Sequence, residues 1–582
     1  MHNSPGRVVR DPVHGYVEVP AELDALVRTS AVQRLRNIAQ NSRAVAGFPS
    51  MTGSRYEHAL GTMHLAVRAW QHAWQNAFGH DGGGPSDTRD AFRRAVVRDL
   101  RAQEHLDHVT AEWIDGDRVE DTPLWQDFGR RTALVVGAVG LLHDVGHPPF
   151  SHVLEPFYAR RVGEIFGAEA QSDFADYCGG AAHGAQFHEW AGLQVLDLMP
   201  AEAFVAMPRA LVRLVLADRS DHGWAHALHS VVDGQFDVDR LDYLVRDAIN
   251  AGTEYGNIDA DRLLQSLELH QLAEDDWRIG LGARAVSSFE TMLVLRAQHY
   301  RWVVRHPAVV VANTALERGA SLVHDLATAT PTAVGRQNVP DLDYIRAAVG
   351  AADSVDPPCA DDHDFLAWLR RERHWLGEMA DQEVPAARTA LAFLDVADTF
   401  ALTPVPAWRN YQEFLARVDQ NRDAAEQIAA LAPEQSLPAY VQSPASRQSV
   451  QVLQSELPAL LNAALDELIR PNAEEPGNHA AEMKLGLQVP SVPGCGDGFW
   501  FVSTSHFTAL EDDFAGIWRD DEQALLSDVS PFPIALAALE IMRLRHMVFF
   551  VPLDARPGEV TADQRRAVGK AFFDAVSTWY VC

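Results

Sequence analysis

The chain is expected to be mainly α, with a mixed α+β accessory region at its C-terminal end. Three observations predict this. Leu60, Met63, Ala66, Val67, Trp70 and Trp74 share one broad face of residues 57–75, as in an amphipathic helix. The run Thr132 to Leu142 carries no charge, is rich in Ala and Leu, and repeats Leu134, Ala138, Leu141 and Leu142 near helical spacing, which favours a buried helix over a buried strand. Strand-like runs are short and few: 8–19, 277–286, 497–506 and 546–552, the last two in the C-terminal third.

Taken in order, Asp11-Pro12 and His14-Gly15 mark the turn of a hairpin at 8–19. Residues 22–39 read as two short helices and 40–57 as an irregular link broken by glycines and a proline. After the 57–75 helix, 76–131 reads as an insertion, opening with the flexible surface loop 79–92 and continuing into polar helices over 93–128. The 132–142 helix stops at Pro148 and Pro149, which cannot continue it. Helices are expected over 153–200, 205–229, the 238–247 segment and 256–272, followed by a strand pair at 277–286. A long helix over 287–318 is interrupted at Pro307, 325–362 is loop, and 386–400 is helical. Gln/Ala/Glu-rich helices over 404–490 with a linker near 471–479, strands at 497–506 and 546–552, and a last helix at 561–577 complete the chain. The expected division is a catalytic-size unit over 1–400 and an accessory or oligomerisation region over 401–582.

With 582 residues, of which 47% are apolar, including 14 Trp and 25 Phe, the chain can fill more than one core and is not disordered in composition. Lys plus Arg is 49 against 80 for Asp plus Glu, a formal charge of -31. Such a surface disfavours double-stranded nucleic acid and anionic membrane. It leaves room for an anionic small molecule held by a metal and a few arginines. Cys178, Cys359, Cys495 and Cys582 form no CxxC pair, so neither a disulfide framework nor a thiolate metal site is expected. With no apolar signal core and no run of transmembrane length, a cytoplasmic location is expected.

The chemistry-bearing residues cluster after the uncharged helix. His143-Asp144 ends it, and His147 and His152 follow around the two prolines. Imidazole and carboxylate together suit a divalent first-row ion. On local pattern alone the pair fits equally well a His at a helix end and an Asp paired with an arginine. His58 by itself reads as a structural histidine, and His188-Glu189 as an acidic first helical turn. Asp239, Tyr243, Arg246 and Asp247 can share a helix face. Arg296, Arg301, Arg305 and His306 form the densest positive group, fit either for an anion or for interface ion pairs. Asp361-Asp362-His363-Asp364 reads as acidic capping. Nucleotide-cradling loops of the GxxxxGK[ST] or GxGxxG type are absent, as are HExxH and GxSxG.

In combination, these residues resemble the HD-domain phosphohydrolases, most closely the deoxynucleoside triphosphate triphosphohydrolases of the dGTPase and SAMHD1-like branch. Arg55-Tyr56-Glu57-His58-Ala59-Leu60-Gly61 resembles that family's first histidine segment, His143 through His152 its central motif, and Asp237 through Asp247 the segment bearing its last aspartate. Asp11-Pro12-Val13-His14-Gly15 and Gln33-Arg34-Leu35-Arg36 resemble its start. The resemblance spans about 7–75 and 132–320, more weakly to about 400. It departs in the 76–131 insertion, in Pro148 where Gly is frequent, and in a C-terminal third with no recognisable allosteric nucleotide site.

The resemblance implies an HD-type helical core and hydrolysis of a deoxynucleoside triphosphate to deoxynucleoside and triphosphate. Its metal ligands would be His58, His143, Asp144 and Asp239, holding one divalent transition ion (Mn, Fe, Ni or Zn), with Mg accompanying the substrate triphosphate. His147, His152, Glu155 and His188 map onto catalytic positions. His188 would be the acid for the departing 5′ oxygen, His147 and His152 would lie around the α-phosphate, and Glu155 would orient an imidazole. Arg55, Arg240, Tyr243, Arg296 and Arg301 would contact phosphate or sugar, Asp247 the sugar 3′-hydroxyl, and Gln40, with Asn41 and Ser42, the base. A nucleotide substrate and a homo-oligomer are implied. The alternatives are another HD nucleotidase or phosphodiesterase, and a non-catalytic nucleotide-sensing scaffold.

Overall fold

This computed structural model describes residues 6–79, 86–102, 124–179, 187–218, 223–273, 275–329, 341–350, 359–382, 384–399, 404–408, 411–429, 491–492, 496–504, 517–519, 522–530, 532, 546–552 and 560–581. The linker expected near 471–479, the helices expected over 430–490, and Cys495 and Cys582 lie outside the described residues. The fold is mainly helical, with short strands. No helix among the described residues is long and apolar enough to cross a membrane.

An antiparallel hairpin of β1 (Arg7–Asp11) and β2 (Gly15–Val19) opens the fold, as its turn residues predict. The turn closes on Gly15, whose φ of 73° is open to glycine at no steric cost. Helix α1 (Arg55–Phe78) buries the apolar stripe seen in the sequence and packs along α3 (Leu124–Leu142). The uncharged run of α3 is the buried core helix that its composition predicts, with Val135, Val136, Ala138 and Leu141 fully enclosed.

Between them the insertion departs from expectation. Residues from Ser86 to Arg101 form helix α2, where part of a surface loop was expected. Its Phe92 and Val96 are fully buried, and the Phe92 ring meets Trp277 at 4.9 Å and Trp70 at 5.8 Å. Charged residues are interleaved along this segment and conceal an apolar stripe of i, i+4 spacing, Phe92, Val96 and Leu100.

Further on come α4 (Phe187–Leu198) and α5 (Val238–Ala251). The helix expected over 256–272 ends early. After Ala260–Gln265 the chain becomes β3 (Leu267–Ala273), paired antiparallel with β4 (Asp276–Gly282). Leu267 and Leu269 are buried on one face of β3, a period of two that a short apolar run conceals. The open edge of β4 is covered in parallel by Ile517–Arg519, itself paired with Glu522–Ala524. Strands from beyond residue 401 thus complete a sheet begun well before residue 400. The strands expected near 497–506 and 546–552 pair antiparallel with each other, Trp500 opposite Phe550.

Helix α6 (Val286–His299) runs into a π-helical turn, Tyr300–Val304, before α7 (Pro307–Ala329). The interruption comes a little ahead of the proline that predicts it. Helix α8 (Asp362–Asp381) follows.

Candidate active site

His58 lies in the second turn of α1, His143 and Asp144 just beyond the end of α3, and Asp239 in the first turn of α5. Three helix ends meet here. Asp237 caps α5, accepting from the Arg240 backbone N–H at 2.7 Å, so the first turn that carries Asp239 is held in place.

The fully buried ring of His58 has Nδ1 2.8 Å from Asp242 Oδ2. His143 has Nδ1 2.8 Å from the carbonyl of Gly140. Each imidazole is thereby fixed by one nitrogen and turns Nε2 towards the same space. His58 Nε2 lies 2.7 Å from Asp239 Oδ1, and His143 Nε2 lies 3.4 Å from it. The carboxylate of Asp144 stands 3.6 Å and 3.4 Å from the two Nε2 atoms. Among the described residues, His58, His143 and Asp239 offer ligand atoms all within 4.8 Å of one another.

This donor set fits a divalent ion. Both Nε2 atoms are buried and make no hydrogen bond of good geometry, and the ring nitrogens away from the centre are engaged, as metal-binding histidines usually are. The electrostatics agree. Burial opposes charge on His58, but the adjoining carboxylates of Asp239 and Asp242 outweigh it and push the imidazole up to about 10. Burial also opposes ionisation of Asp144, yet Arg55, His143 and His147 hold it well below the usual carboxylate range. The centre attracts positive charge, for which a proton and a metal ion compete.

A second cluster adjoins the first. Glu155 Oε1 lies 2.6 Å from His152 Nδ1, 3.1 Å from His188 Nδ1 and 3.5 Å from His147 Nδ1. These four residues also satisfy the distances of a metal site, but their orientation differs. The Nδ1 atoms face the carboxylate, which itself occupies the centre. Burial disfavours a proton on His188, but the charge and hydrogen bond of Glu155 prevail and raise it to about 9. His147, buried and close to Arg55 and His188, is driven well below its ordinary value. The rings of His147 and His188 stack at 4.0 Å with 11° between planes, one neutral and one protonated near pH 7. His147 Nε2 sits 3.1 Å from Asp144 Oδ1 and joins the two clusters.

The stack depends on a close approach. A Cβ at Gly146 would lie 2.1 Å from both the Gly192 nitrogen and the His188 carbonyl oxygen of α4. The loop between His147 and His152 is also constrained: Phe150 and Ser151 have φ of 57° and 54°, uncommon for residues with a Cβ. Their conformation is held from four directions. Asp362 Oδ1 accepts from Phe150 N at 2.6 Å, and Ser42 Oγ donates to Phe150 O. Ser151 Oγ donates to Ala39 O at 2.8 Å and accepts from Arg55 Nε at 2.6 Å. The acidic run at 361–364 is therefore capping, as expected of Asp361, plus a loop clamp in Asp362.

A cavity of about 410 Å³ opens onto both clusters. His143, Asp144, His152, His188 and Asp239 line it, while His58, His147 and Glu155 stand behind. Gln40, Arg55, Arg240, Tyr243, Asp247 and Arg296 line it too. Arg301 does not: it is exposed and lies over the Trp302 ring at 5.3 Å. Five residues along an α-helix turn through about 140° from the face of Arg296, and the intervening π-helical turn does not bring Arg301 back to the cavity. Of the face shared by Asp239, Tyr243, Arg246 and Asp247, Arg246 turns inwards to Asp242 and Asp11.

Sequence reasoning missed two groups, His299 and Asp242. His299 lines the cavity, with Nε2 3.5 Å from Asp247 Oδ2, and burial lowers it to about 4. Its spacing of three from Arg296 on a helix could have signalled it. Asn41 hydrogen-bonds Asp247, whose carboxyl burial nonetheless raises to about 7. Asp242, the support of His58, stood unassigned inside the Asp-rich motif.

No family model matches the chain. Among curated proteins, an uncharacterised protein of Methanocaldococcus jannaschii is 26% identical over 312 residues, 54% of this chain and 49% of that protein. The uncharacterised protein YwfO of Bacillus subtilis is 27% identical over 324 residues, 55% of this chain and 57% of that one. The human deoxynucleoside triphosphate triphosphohydrolase SAMHD1 is 22% identical over 329 residues, 54% of this chain and 44% of that enzyme. The chain spans about half the length of these curated relatives. Among solved structures, the crystal structure of a phosphohydrolase from Bacteroides thetaiotaomicron aligns with a TM-score of 0.48 at 17% identity, covering 94% of this chain and 98% of that one.

Proposed function

We propose that this protein is an HD-domain phosphohydrolase related to the deoxynucleoside triphosphate triphosphohydrolases and that it hydrolyses deoxynucleoside triphosphates to deoxynucleoside and inorganic triphosphate. One observation carries the proposal: a carboxylate–imidazole centre and a protonated imidazole, His188, open onto the same cavity and are linked through His147 and Asp144. His58, His143, Asp144 and Asp239 would hold a divalent ion (Mn, Fe, Ni or Zn), which when bound supplies Lewis-acid polarisation of the α-phosphate and a more acidic water. His188 donates its proton to the 5′ oxygen as the bond from that oxygen to the α-phosphorus breaks. The attacking water forms the new oxygen–phosphorus bond and loses a proton, which by way of solvent restores the acid form of His188, and triphosphate leaves intact. Glu155 holds His188 and His152 by their Nδ1 atoms and so presents each Nε2 outwards. Arg55, Arg240 and Arg296 give the cavity the positive charge that phosphates need, and Mg would accompany the triphosphate. Tyr243, Asp247 and Gln40 line the part left for sugar and base. The neutral form of Asp247 at pH 7 can donate as well as accept.

The test is product identity. A panel of dNTPs, NTPs, dNMPs and cyclic dinucleotides is incubated with Mn2+, with and without added dGTP as activator, and products are resolved by ion exchange. Deoxynucleoside with intact triphosphate is the expected result. Orthophosphate release, or cleavage confined to monophosphates or cyclic nucleotides, would reject it and favour another HD phosphohydrolase activity. Dialysis against chelator should abolish turnover, and Mn2+ should restore it; unchanged turnover without metal would rule out the metal-dependent reading.

A further inference from the structure

We infer that His14, at the turn of the N-terminal hairpin, is a positioning residue for the metal centre, acting through Asp242 on the ring of His58. The inference rests on the proposed metal site. Asp242 is fully buried, and its two oxygens receive four donors. Oδ2 takes His58 Nδ1 at 2.8 Å and Arg246 Nε at 2.8 Å. Oδ1 takes His14 Nε2 at 2.6 Å and Arg246 Nη2 at 2.8 Å. A carboxylate offers about four lone-pair sites, so this one is saturated and cannot swing. When a metal displaces the competing proton from Nε2, His58 keeps its other proton on Nδ1, held by Asp242, and offers Nε2 to the metal, the form that ligation requires.

His14 is itself placed with care. Asp11 Oδ1 accepts from the Val13 and His14 backbone N–H groups, both at 2.8 Å, and thus shapes the hairpin turn. Asp11 Oδ2 accepts from Arg246 Nη1 at 2.9 Å. The hairpin is therefore tied to α5 twice, once by each of its two polar turn residues. Helix α1 leaves the space: a Cβ on Gly61 would fall 1.9 Å from Asp242 Oδ1. Three separate segments, 11–14, 58–61 and 242–246, thus converge on one buried carboxylate.

Outer partners of metal-bound histidines typically account for about 10- to 100-fold in metal affinity. Mn2+ is titrated by calorimetry into the chelator-treated full chain, for wild type, His14→Ala, His14→Gln, Asp242→Asn and the His14→Ala/Asp242→Asn double variant. Melting temperatures in excess chelator report the fold separately. Asp242→Asn and His14→Ala are each expected to weaken Mn2+ binding, by about 10- to 100-fold for Asp242→Asn. His14→Gln, which keeps a side-chain N–H donor and guards against an unfolded alanine variant, should lie closer to wild type. The double variant should bind no more weakly than Asp242→Asn alone, because His14 works only through that carboxylate. Wild-type affinity in His14→Ala, or losses that multiply in the double variant, would overturn the inference and leave the metal site standing. A wild-type protein that binds none of Mn2+, Fe2+, Ni2+ or Zn2+ would remove both.

Discussion

Asp144→Ala protein is expected to retain no divalent metal after dialysis and to lose on the order of 10³-fold or more in hydrolysis, since a bound metal supplies several kcal/mol of transition-state stabilisation. Asp144 is the carboxylate within reach of His58, His143 and His147 at once, at 3.6, 3.4 and 3.1 Å. Its removal also strands the buried guanidinium of Arg55, which pairs with it. The centre then keeps Asp239 but has an unneutralised guanidinium where Asp144 stood, and that charge repels a divalent ion. Asp144→Asn keeps the shape and should fail in the same way. Elemental analysis beside a melting curve decides the matter: stoichiometric metal in folded Asp144→Ala protein would take Asp144 out of the ligand set.

His188→Ala should behave in the opposite sense for metal. Turnover is expected to fall by about 10²- to 10⁴-fold, while metal content stays at the wild-type level, because His188 is oriented by Glu155 and groups with His147 and His152 rather than with His58, His143 and Asp239. The pH dependence provides a signature. His188 is raised to about 9, so its acid form is present below that value and turnover should drop as pH climbs through about 9. The residual rate of the alanine variant should lack that alkaline limb. The same shift contributes fold stability that is complete below the ordinary imidazole value of about 6.5 and disappears as pH rises through about 9. Metal loss in His188→Ala equal to that in Asp144→Ala would move His188 into the ligand shell.

The helical core was legible in the sequence because its long helices carry unbroken stripes, as in α1 and the uncharged half of α3. The first hairpin was legible from its turn residues. What escaped were segments whose pattern depends on a distant partner. Leu267–Ala273 is a strand because β4 and Ile517–Arg519 build a sheet beside it, and no local period shows that. Helix α2 hides an apolar stripe among charges until Trp70 and Trp277 are placed against it. In the cavity, local charge density misled: Arg301 belongs to the densest positive group yet points outwards, while the neutral His299 on the preceding turn faces Asp247. Asp242 supports His58 across 184 positions, a distance over which neither residue identifies the other.

The bare backbone at Gly146 has a wider meaning for how the chemistry can be tuned. The spacing between the His147 and His188 rings depends on a missing carbon as well as on Glu155, since α4 rests directly on that glycine. A single methyl there would wedge His188, the proposed proton donor, away from the cluster that shares Asp144, with every proposed acid and ligand still present in the chain. The proposed chemistry would therefore have a mechanical adjustment separate from its charged and ligating groups. A chain could keep the full set of functional residues and still fall silent through a change at a position that carries no side chain at all.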